Sequence, residues 1–200
     1  MNKIQRTLIE AQIGGLKISK WFLSTYYYII DSEYRTKRKL SKYLKDQLRW
    51  VSYTTYSIAM SLRGKDEEET IINILKWVMK NFRYKTDVDN YNKVEKWASI
   101  ETMMHNKVDD CDGMNTVIYV LARIAGIGSD ILYSTIGMTT VGGHFWLLFW
   151  STNHDKLVAI DSTYHPSKVC VKNRPRFHLN KYKYQSLWYV FNEKITIKII

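Results

Sequence analysis

Apolar residues recur at helical spacing between Val108 and Ile127. Most lie three or four positions apart, at Met114, Val117, Ile118, Leu121, Ile124 and Ala125. This period predicts an amphipathic helix that buries one face. Asp109 and Asp110 stand immediately before the apolar period, where helix N-caps are found. Gly126 stands after it, where helices commonly end.

Earlier in the chain, helical patterns are separated by polar stretches. The apolar positions within Ile71–Phe82 predict a helix, and the acidic run Asp66–Glu69 before it has the form of a capping box, with Asp66 as the cap. We expect a polar loop over Lys85–Lys96 and a short helix over Trp97–Met104. Helices therefore dominate the first part of the chain.

Residues 1–63 show a looser helical period and many basic and aromatic side chains. The apolar positions of this period are Ile4, Leu8, Ile13, Leu16, Leu40, Leu44, Leu48 and Val51. Gly14-Gly15 is expected to interrupt the first helix. We predict a helical N-terminal extension or arm over residues 1–63. It packs either on the remaining domain, residues 64–200, or on a partner chain.

The second part of the chain changes to strand patterns. The continuous apolar run His144–Trp150 is typical of a buried strand, and further strands are predicted at Ile131–Ile136 and Leu157–Asp161. The last apolar segments, Leu187–Phe191 and Ile195–Ile200, predict a terminal hairpin. Helices first and antiparallel strands second predict an α+β fold.

Length and composition are those of one globular domain, with 200 residues and 46% hydrophobic content. We interpret the two cysteines, Cys111 and Cys170, as free thiols in a reducing setting. The formal net charge is +11, but the basic residues form no recognisable nucleic-acid-binding module. We expect solvated basic faces and, at most, non-specific and salt-sensitive contact with nucleic acid.

Signals for export and for cofactors are missing from the sequence. No basic-then-apolar secretory leader opens the chain. The most apolar N-terminal run, Trp21–Ile30, is ten residues long, too short to span a bilayer. No His or Cys grouping has the spacing of zinc ligands, and no glycine-rich phosphate loop is found. The expectation is a cytoplasmic or virion-associated protein with no membrane span, metal or cofactor.

Cys111 falls in the first turn of the helix that follows Asp110. The positive end of the helix dipole favours thiolate over thiol, and the thiolate is the nucleophile of cysteine chemistry. The alternative interpretation is a small core residue that happens to lie near a helix start. This stretch alone favours neither interpretation, so the choice depends on residues further along the chain.

Two downstream side chains could serve Cys111 in catalysis. His144 opens one predicted strand and Asp161 ends the next. If these strands are adjacent and antiparallel, the turn between them brings His144 and Asp161 to one sheet edge. A helix packed on that sheet could present Cys111 to the imidazole. The three would then form a nucleophile, a base and an orienting carboxylate in series.

Four short motifs occur in the order WASIE at Trp97–Glu101, DCD at Asp110–Asp112, GHFW at Gly143–Trp146 and IDST at Ile160–Thr163. Together they resemble the transglutaminase-like superfamily, a papain-related group that includes transglutaminases and bacterial transglutaminase-like cysteine proteinases. They are similar to the family's Trp-x-x-x-Glu lead-in, Gly-Asp-Cys core, His-x-Trp strand and Asp-x-Thr strand end. The resemblance covers roughly Glu69–Pro166.

The resemblance implies a papain/transglutaminase-like core, in which a helix bearing Cys111 packs on an antiparallel sheet bearing His144 and Asp161. It implies Cys111 as nucleophile, His144 as general base and acid, and Asp161 as the orienter of the imidazole. The oxyanion donor is the backbone N–H of Cys111 or, alternatively, the side chain of Trp97. Trp97 could instead be a core anchor beneath the site.

The sequence departs from the family pattern around the cysteine. The glycine that is usual two positions before it is Asp109, and the acidic residue that is common two positions after it is Gly113. Asp109, Asp110 and Asp112 also place negative charge near the thiol of Cys111, which opposes its ionisation.

The sequence leads to two functional hypotheses of different class. The first is thiol-dependent acyl transfer on peptide or glutamine amides, by a cysteine protease, deamidase or transglutaminase-like enzyme whose partner is a protein or peptide substrate. The second is a virion-associated or assembly protein of a tailed phage that uses the fold structurally. In that case residues 1–63 would contact a protein partner, and the activity would be accessory or lost. The complete Cys–His–Asp set favours the enzyme.

Overall fold

The computed structural model describes residues 37–164, 169–180 and 183–199. The predicted helical period before residue 37, its interruption at Gly14-Gly15 and the apolar run Trp21–Ile30 lie outside the described residues. Across the described ranges, no helix combines the length and the apolar character needed to cross a bilayer.

Helices occupy the first part of the described chain and strands the second. The helices are α1 Lys37–Arg49, α2 Tyr53–Ser61, α3 Glu67–Asn81, α4 Asp87–Tyr91, α5 Ile100–Asn106 and α6 Cys111–Ile124. The strands are β1 Arg83–Tyr84, β2 Val108–Asp109, β3 Leu132–Thr139, β4 Gly142–Ser151, β5 Lys156–Ile160, β6 Tyr184–Phe191 and β7 Thr196–Lys198. Two short 3-10 helices span Val171–Asn173 and Phe177–Asn180. This order confirms the predicted α+β class.

The five longer strands form one antiparallel sheet in the order β5-β4-β3-β6-β7. Strand β4 pairs with β3 on one side and with β5 on the other. Leu147 lies opposite Ile160 in the β4–β5 register, so the residues that follow β5 lie beside the start of β4. The condition stated for the meeting of His144 and Asp161, adjacent and antiparallel strands, is therefore met, with Asp161 one residue beyond the end of β5.

Helix α6 lies at the centre of the core. Asp110 is its N-cap and accepts the Asp112 N–H at 3.1 Å, and Gly126, with a φ of 103°, follows its end, both as predicted. Helices α1, α2, α3 and α5 and strands β3 and β4 all pack on α6. Every residue from Asp112 to Ala122 is buried in consequence, so the helix buries more than the single face that its period predicts.

Helices α1 and α2 contribute to the same core as α6. Leu40 and Leu44 of α1 are completely buried. The Tyr43 hydroxyl donates to the Ala98 carbonyl at 2.9 Å, which joins α1 to the chain that leads into α5. The helices of residues 37–61 therefore pack directly on the helix that begins at the cysteine.

The stretch predicted as a polar loop, Lys85–Lys96, differs from that expectation because it contains α4. Thr86 caps this short helix and accepts the Asp89 N–H at 3.3 Å. Just before it, β1 pairs in parallel with β2, with Arg83 opposite Val108. Elements of two and five residues are too short for hydrophobic periodicity to reveal. Together they bring this stretch alongside the start of α6.

Candidate active site

His144 and Asp161 form a buried hydrogen-bonded pair beside the start of β4. Their side chains are 0% and 1% exposed, and His144 Nε2 lies 2.7 Å from Asp161 Oδ2. The antiparallel β4–β5 pairing produces this contact, because Asp161 follows β5 directly. The structure thus brings together the imidazole and the carboxylate that the sequence predicts at one sheet edge.

The Asp161 carboxylate accepts hydrogen bonds on both oxygens. Thr163 donates its N–H and its hydroxyl to Oδ1, at 2.9 and 3.0 Å, and Tyr184 donates its hydroxyl to Oδ2 at 3.2 Å. Burial acts to raise the pKa of Asp161, but the bond to His144 and the Thr163 donors together hold that pKa below its usual value. Asp161 is therefore ionised at neutral pH.

The charge of Asp161 decides the tautomer of His144. An ionised carboxylate can only accept hydrogen bonds, so in the neutral form of His144 the proton is on Nε2 and Nδ1 keeps a free lone pair. Nδ1 is buried and has no hydrogen-bond partner among the described residues. The imidazole therefore offers a basic nitrogen on the side of the ring that faces away from the carboxylate.

Cys111 is the first residue of α6, as predicted, and the backbone N–H of Phe145 acts to lower the pKa of its thiol. Phe145 follows His144 in β4, so the sulfur lies beside the strand that carries the imidazole. Cys111 is half-buried and Cys170 is exposed, and both are free thiols in the structure.

The position of Cys111 at a helix start led us to expect that its thiolate form is favoured. The electrostatic environment of the thiol corrects this expectation. Burial, followed by the carboxylates of Asp110 and Asp112, raises the pKa of Cys111 well above the usual cysteine value. The Phe145 N–H opposes this rise only in part. The helix dipole alone would favour the thiolate, but desolvation and two adjacent negative charges outweigh it. The resting group is therefore a thiol.

Trp97 packs under the start of β4. Its ring makes edge-on contacts with Tyr43 and Phe145, with centroid distances of 4.9 and 5.7 Å. The indole N–H donates to the Glu95 carboxylate at 2.5 Å. Trp97 therefore supports the residue next to His144, and its N–H, the group that an oxyanion would need, is bound by Glu95.

Three carboxylates come together next to the start of α6. One oxygen from each of Asp87, Asp109 and Asp110 lies within 4.8 Å of the other two. Asp87 Oδ1 is buried and has no hydrogen-bond partner in the described part of the chain. Burial, and then the charge of Asp110, raises the pKa of Asp87 to about 7, and burial raises that of Asp109 to about 6. Carboxylate oxygens in this number and spacing suit a hard divalent cation such as Ca²⁺.

A family model with the description Transglutaminase-like superfamily matches residues 54–162, more than half of the chain. The chain belongs to the transglutaminase-like superfamily. Cys111, His144 and Asp161 all lie inside the matched range. Membership of the superfamily supports a cysteine-protease-like or transglutaminase-like function at this general level.

Solved structures of LapG from Legionella pneumophila share the fold of this transglutaminase-like protein. Each is 17% identical and covers 80% of this chain. The TM-score is 0.55 for LapG and 0.56 for its calcium-bound form, each over 87% of LapG, and 0.55 for an EGTA-treated form over 85% of it. At this identity the likeness shows the fold alone. No curated protein matches the sequence.

Two tyrosines of the transglutaminase-like domain that belong to none of the sequence motifs lie over the site. The Tyr164 ring lies against the His144 ring, with centroids 4.2 Å apart. The rings of Tyr164 and Tyr84 lie close together, with centroids 6.5 Å apart, and burial, followed by the negative charge of Cys111 in its thiolate form, raises the pKa of both. Tyr84 is on β1, far from the recognised motifs, so only the β1–β2 pairing brings it here.

Proposed function

We propose that this transglutaminase-like protein is a thiol-dependent acyl-transfer enzyme that acts on peptide or glutamine amides. In this proposal Cys111 is the nucleophile, His144 the general base and acid, and Asp161 the orienter of the imidazole. The observation that carries it is the buried His144–Asp161 pair, which leaves Nδ1 without a partner among the described residues, in the strand whose Phe145 N–H acts to lower the pKa of the Cys111 thiol. These are the parts that nucleophilic catalysis by cysteine requires.

Acylation begins from the neutral thiol. His144 Nδ1 takes the thiol proton while the Cys111 sulfur attacks the amide carbon and forms the C–S bond, and ionised Asp161 stabilises the resulting imidazolium. Cys111 opens α6, so its backbone N–H is among the first-turn amides without an intrahelical partner and can donate to the developing oxyanion. The imidazolium then protonates the leaving nitrogen, the C–N bond breaks, and a thioester remains.

Deacylation reverses these roles with a second nucleophile. Water or a primary amine attacks the thioester carbon, and His144 takes the proton that this nucleophile loses. The C–S bond breaks and His144 returns a proton to the sulfur, which restores the thiol. Water on a peptide thioester gives proteolysis, water on a glutamine thioester gives deamidation, and an amine gives cross-linking.

The test uses the Cys170→Ser protein, so that Cys111 is the one thiol left in the chain. Denatured casein and a fluorescent primary amine are offered together, and peptide release, ammonia release and amine incorporation are measured. We expect at least one product, and none from Cys111→Ala. In parallel, alkylation of Cys111 by iodoacetamide is expected to slow at least about 10²-fold in His144→Ala, the usual contribution of a general base. An unchanged alkylation rate in His144→Ala would overturn the proposal.

The assembly hypothesis remains a prediction. Co-purification of the full chain with virus particles, in a form without measurable Cys111 reactivity, would support it over catalysis. The complete and buried His144–Asp161 pair favours catalysis, because a structural domain has no need of an unpaired basic nitrogen in its core.

We also infer that Asp87, Asp109 and Asp110 hold a calcium ion. Oxygens bound to one calcium lie at most about 5 Å apart, and the three carboxylates already meet that limit. Asp87 Oδ1 is buried and accepts no hydrogen bond from the described residues, so it is available to a cation. One of the LapG structures is calcium-bound. Bound calcium would supply a fixed positive charge beside the carboxylates that precede Cys111.

Thermal unfolding tests the calcium site without reference to activity. With calcium about 100-fold above its dissociation constant, the melting temperature is expected to rise by roughly 5–10 °C relative to EGTA. Asp87→Asn should abolish the rise. Asp46→Asn, which changes an exposed carboxylate paired with Lys42, should keep it. A rise of equal size in Asp87→Asn would exclude this site.

A further inference from the structure

Asn115 is completely buried in the first part of α6, and its side chain makes four hydrogen bonds. Nδ2 donates to the Cys111 carbonyl at 3.0 Å and to the Phe145 carbonyl at 2.8 Å. Oδ1 accepts the Ser162 N–H at 3.1 Å and the Ser162 hydroxyl at 3.2 Å. Both amide hydrogens and both oxygen lone pairs are therefore used.

The partners of Asn115 come from the three elements that carry the proposed catalytic groups. One partner is Cys111 itself, at the start of α6. The second, Phe145, follows His144 in β4, and the third, Ser162, follows Asp161 after β5. These elements are distant in sequence, and no backbone hydrogen bond of a helix or sheet joins α6 to either strand. One side chain thus spans all three.

Only an amide of this length can make this set of contacts. An aspartate lacks the two donors, a serine or threonine has one, and a glutamine is longer by one methylene. Burial of a polar side chain is unfavourable unless its hydrogen bonds are made. Packing in an apolar core would therefore not by itself favour an asparagine at position 115. Two residues that share its face of α6, Ile118 and Tyr119, are completely buried.

We propose that Asn115 is a positioning residue that holds the backbone at Cys111, His144 and Asp161 in one fixed arrangement. The inference rests on the proposed function, because it assigns Asn115 to the alignment of that nucleophile, base and orienting carboxylate. Asn115 acts through the Cys111, Phe145 and Ser162 backbone and does not itself contact the reacting atoms. Misplacement of reacting groups by about 1 Å can cost about 10²-fold in rate.

The test compares Asn115→Ala with Asn192→Ala in the Cys170→Ser background. Asn192 is a matched control, since it is also buried, donates to the Ser129 carbonyl and accepts two backbone N–H groups, from Lys194 and Ile195. It lies in the turn between β6 and β7, away from the three catalytic groups. Both variants should lose stability to a similar degree in urea.

Alkylation and proton NMR distinguish positioning from a purely structural role. We expect Asn115→Ala to slow iodoacetamide alkylation of Cys111 by about 10²-fold and to lose the downfield resonance of the His144 Nε2 proton shared with Asp161. Asn192→Ala should keep both. Ser162→Ala removes one of the four hydrogen bonds and should slow alkylation by a smaller factor. This variant tests the inference even if Asn115→Ala does not fold.

Each outcome has a defined meaning. A folded Asn115→Ala with the parent alkylation rate and an intact His144 resonance would overturn the inference, as would equal losses in Asn192→Ala. If Asn115→Ala does not fold, a parent-like rate in Ser162→Ala would overturn it. Failure of the proposed function has a different signature, because the parent protein would then be alkylated no faster than its His144→Ala variant.

Discussion

Tyr184 and His144 hydrogen-bond the same oxygen of the Asp161 carboxylate, at 3.2 and 2.7 Å. The two donors come from β6 and β4, which lie on opposite sides of β3 in the sheet. Asp161 follows β5 at the sheet edge, so the phenol of Tyr184 reaches across to the imidazole–carboxylate pair. The orientation of that carboxylate therefore depends on a strand that carries none of the three proposed catalytic residues.

Tyr184→Phe should weaken both the fold and the site. A hydrogen bond from a neutral donor to a buried carboxylate contributes about 1.5–3 kcal/mol, so the free energy of unfolding in urea should fall by about 2 kcal/mol. If 1.4 kcal/mol of this loss also raises the activation free energy for proton transfer from Cys111 to the imidazole, alkylation of Cys111 slows about tenfold. Tyr43→Phe is the control, since it removes a buried phenol bond to a carbonyl. Equal alkylation rates in the two variants would contradict this role for Tyr184.

The neighbouring tyrosines Tyr84 and Tyr164, whose ring centroids are 6.5 Å apart, should limit the size of reagents that reach Cys111. Tyr84 is 46% exposed and Tyr164 covers the His144 ring, so together they form the outer wall of the site. We expect Tyr84→Ala to accelerate labelling by a fluorescein maleimide more than labelling by iodoacetamide. Tyr84→Phe keeps the ring but loses the hydroxyl and should lie between the parent and Tyr84→Ala. An unchanged ratio of the two rates in Tyr84→Ala would show that the pair does not screen the thiol.

The sequence predicts those parts of the site that depend on repeating patterns. The period of α6 and the apolar run of β4 identify the elements, and the antiparallel turn between β4 and β5 explains why His144 meets Asp161. Contacts made by isolated residues escape such reasoning. In the sequence, Asn115 is one polar residue in an apolar helix, and only the packing of α6 shows its contact with Phe145. Tyr84 precedes a predicted loop, and only the β1–β2 pairing shows that it lies at the site.

The electrostatics of Cys111 could be predicted only in part. The sequence shows both the helix start and the nearby aspartates, but it gives neither the burial of the thiol nor the direction of each carboxylate. Burial is the largest cause of the raised pKa, with Asp110 and Asp112 next. The sign of the shift therefore required the folded arrangement.

Acid should destabilise the protein in part through Glu193. Burial acts to raise the pKa of Glu193, but hydrogen bonds from Tyr119 and Arg123 together hold it below its usual value of 4.5. A depressed folded-state pKa stabilises the fold above the unfolded value, and this stability is lost as the pH falls below 4.5 through the folded pKa.

Tyr119→Phe removes one of the donors to Glu193 and tests this dependence. The free energy of unfolding at pH 7 should fall by about 2 kcal/mol, the usual contribution of a hydrogen bond to a buried charge. The difference from the parent should shrink as the pH falls below 4.5, where Glu193 becomes protonated in the unfolded chain. Urea unfolding at a series of pH values measures it, and a difference that does not change with pH would contradict the assignment.

The departures from the family pattern at Asp109 and Gly113 are structurally coupled. A Cβ built on Gly113 would lie 2.6 Å from the Asp109 Cβ, and the Asp109 carboxylate occupies the remaining space. The family pattern places glycine at the first position and commonly an acidic residue at the second, so this chain has the two exchanged. The Asp109 carboxylate also accepts the Tyr91 hydroxyl at 3.1 Å and the Asp110 N–H at 3.0 Å.

A double-mutant cycle should reveal this exchange as a stabilising coupling. Gly113→Asp alone should lower the free energy of unfolding by about 3 kcal/mol, because overpacking adds to the repulsion between two buried carboxylates. In the Asp109→Gly/Gly113→Asp protein most of that loss should be recovered. The effects of the two substitutions on the free energy of unfolding will therefore not be additive. Gly113→Ala separates the steric part from the charge. Strictly additive losses of the free energy of unfolding in urea would show that positions 109 and 113 are energetically independent. The close approach at Gly113 would then be relieved at little cost.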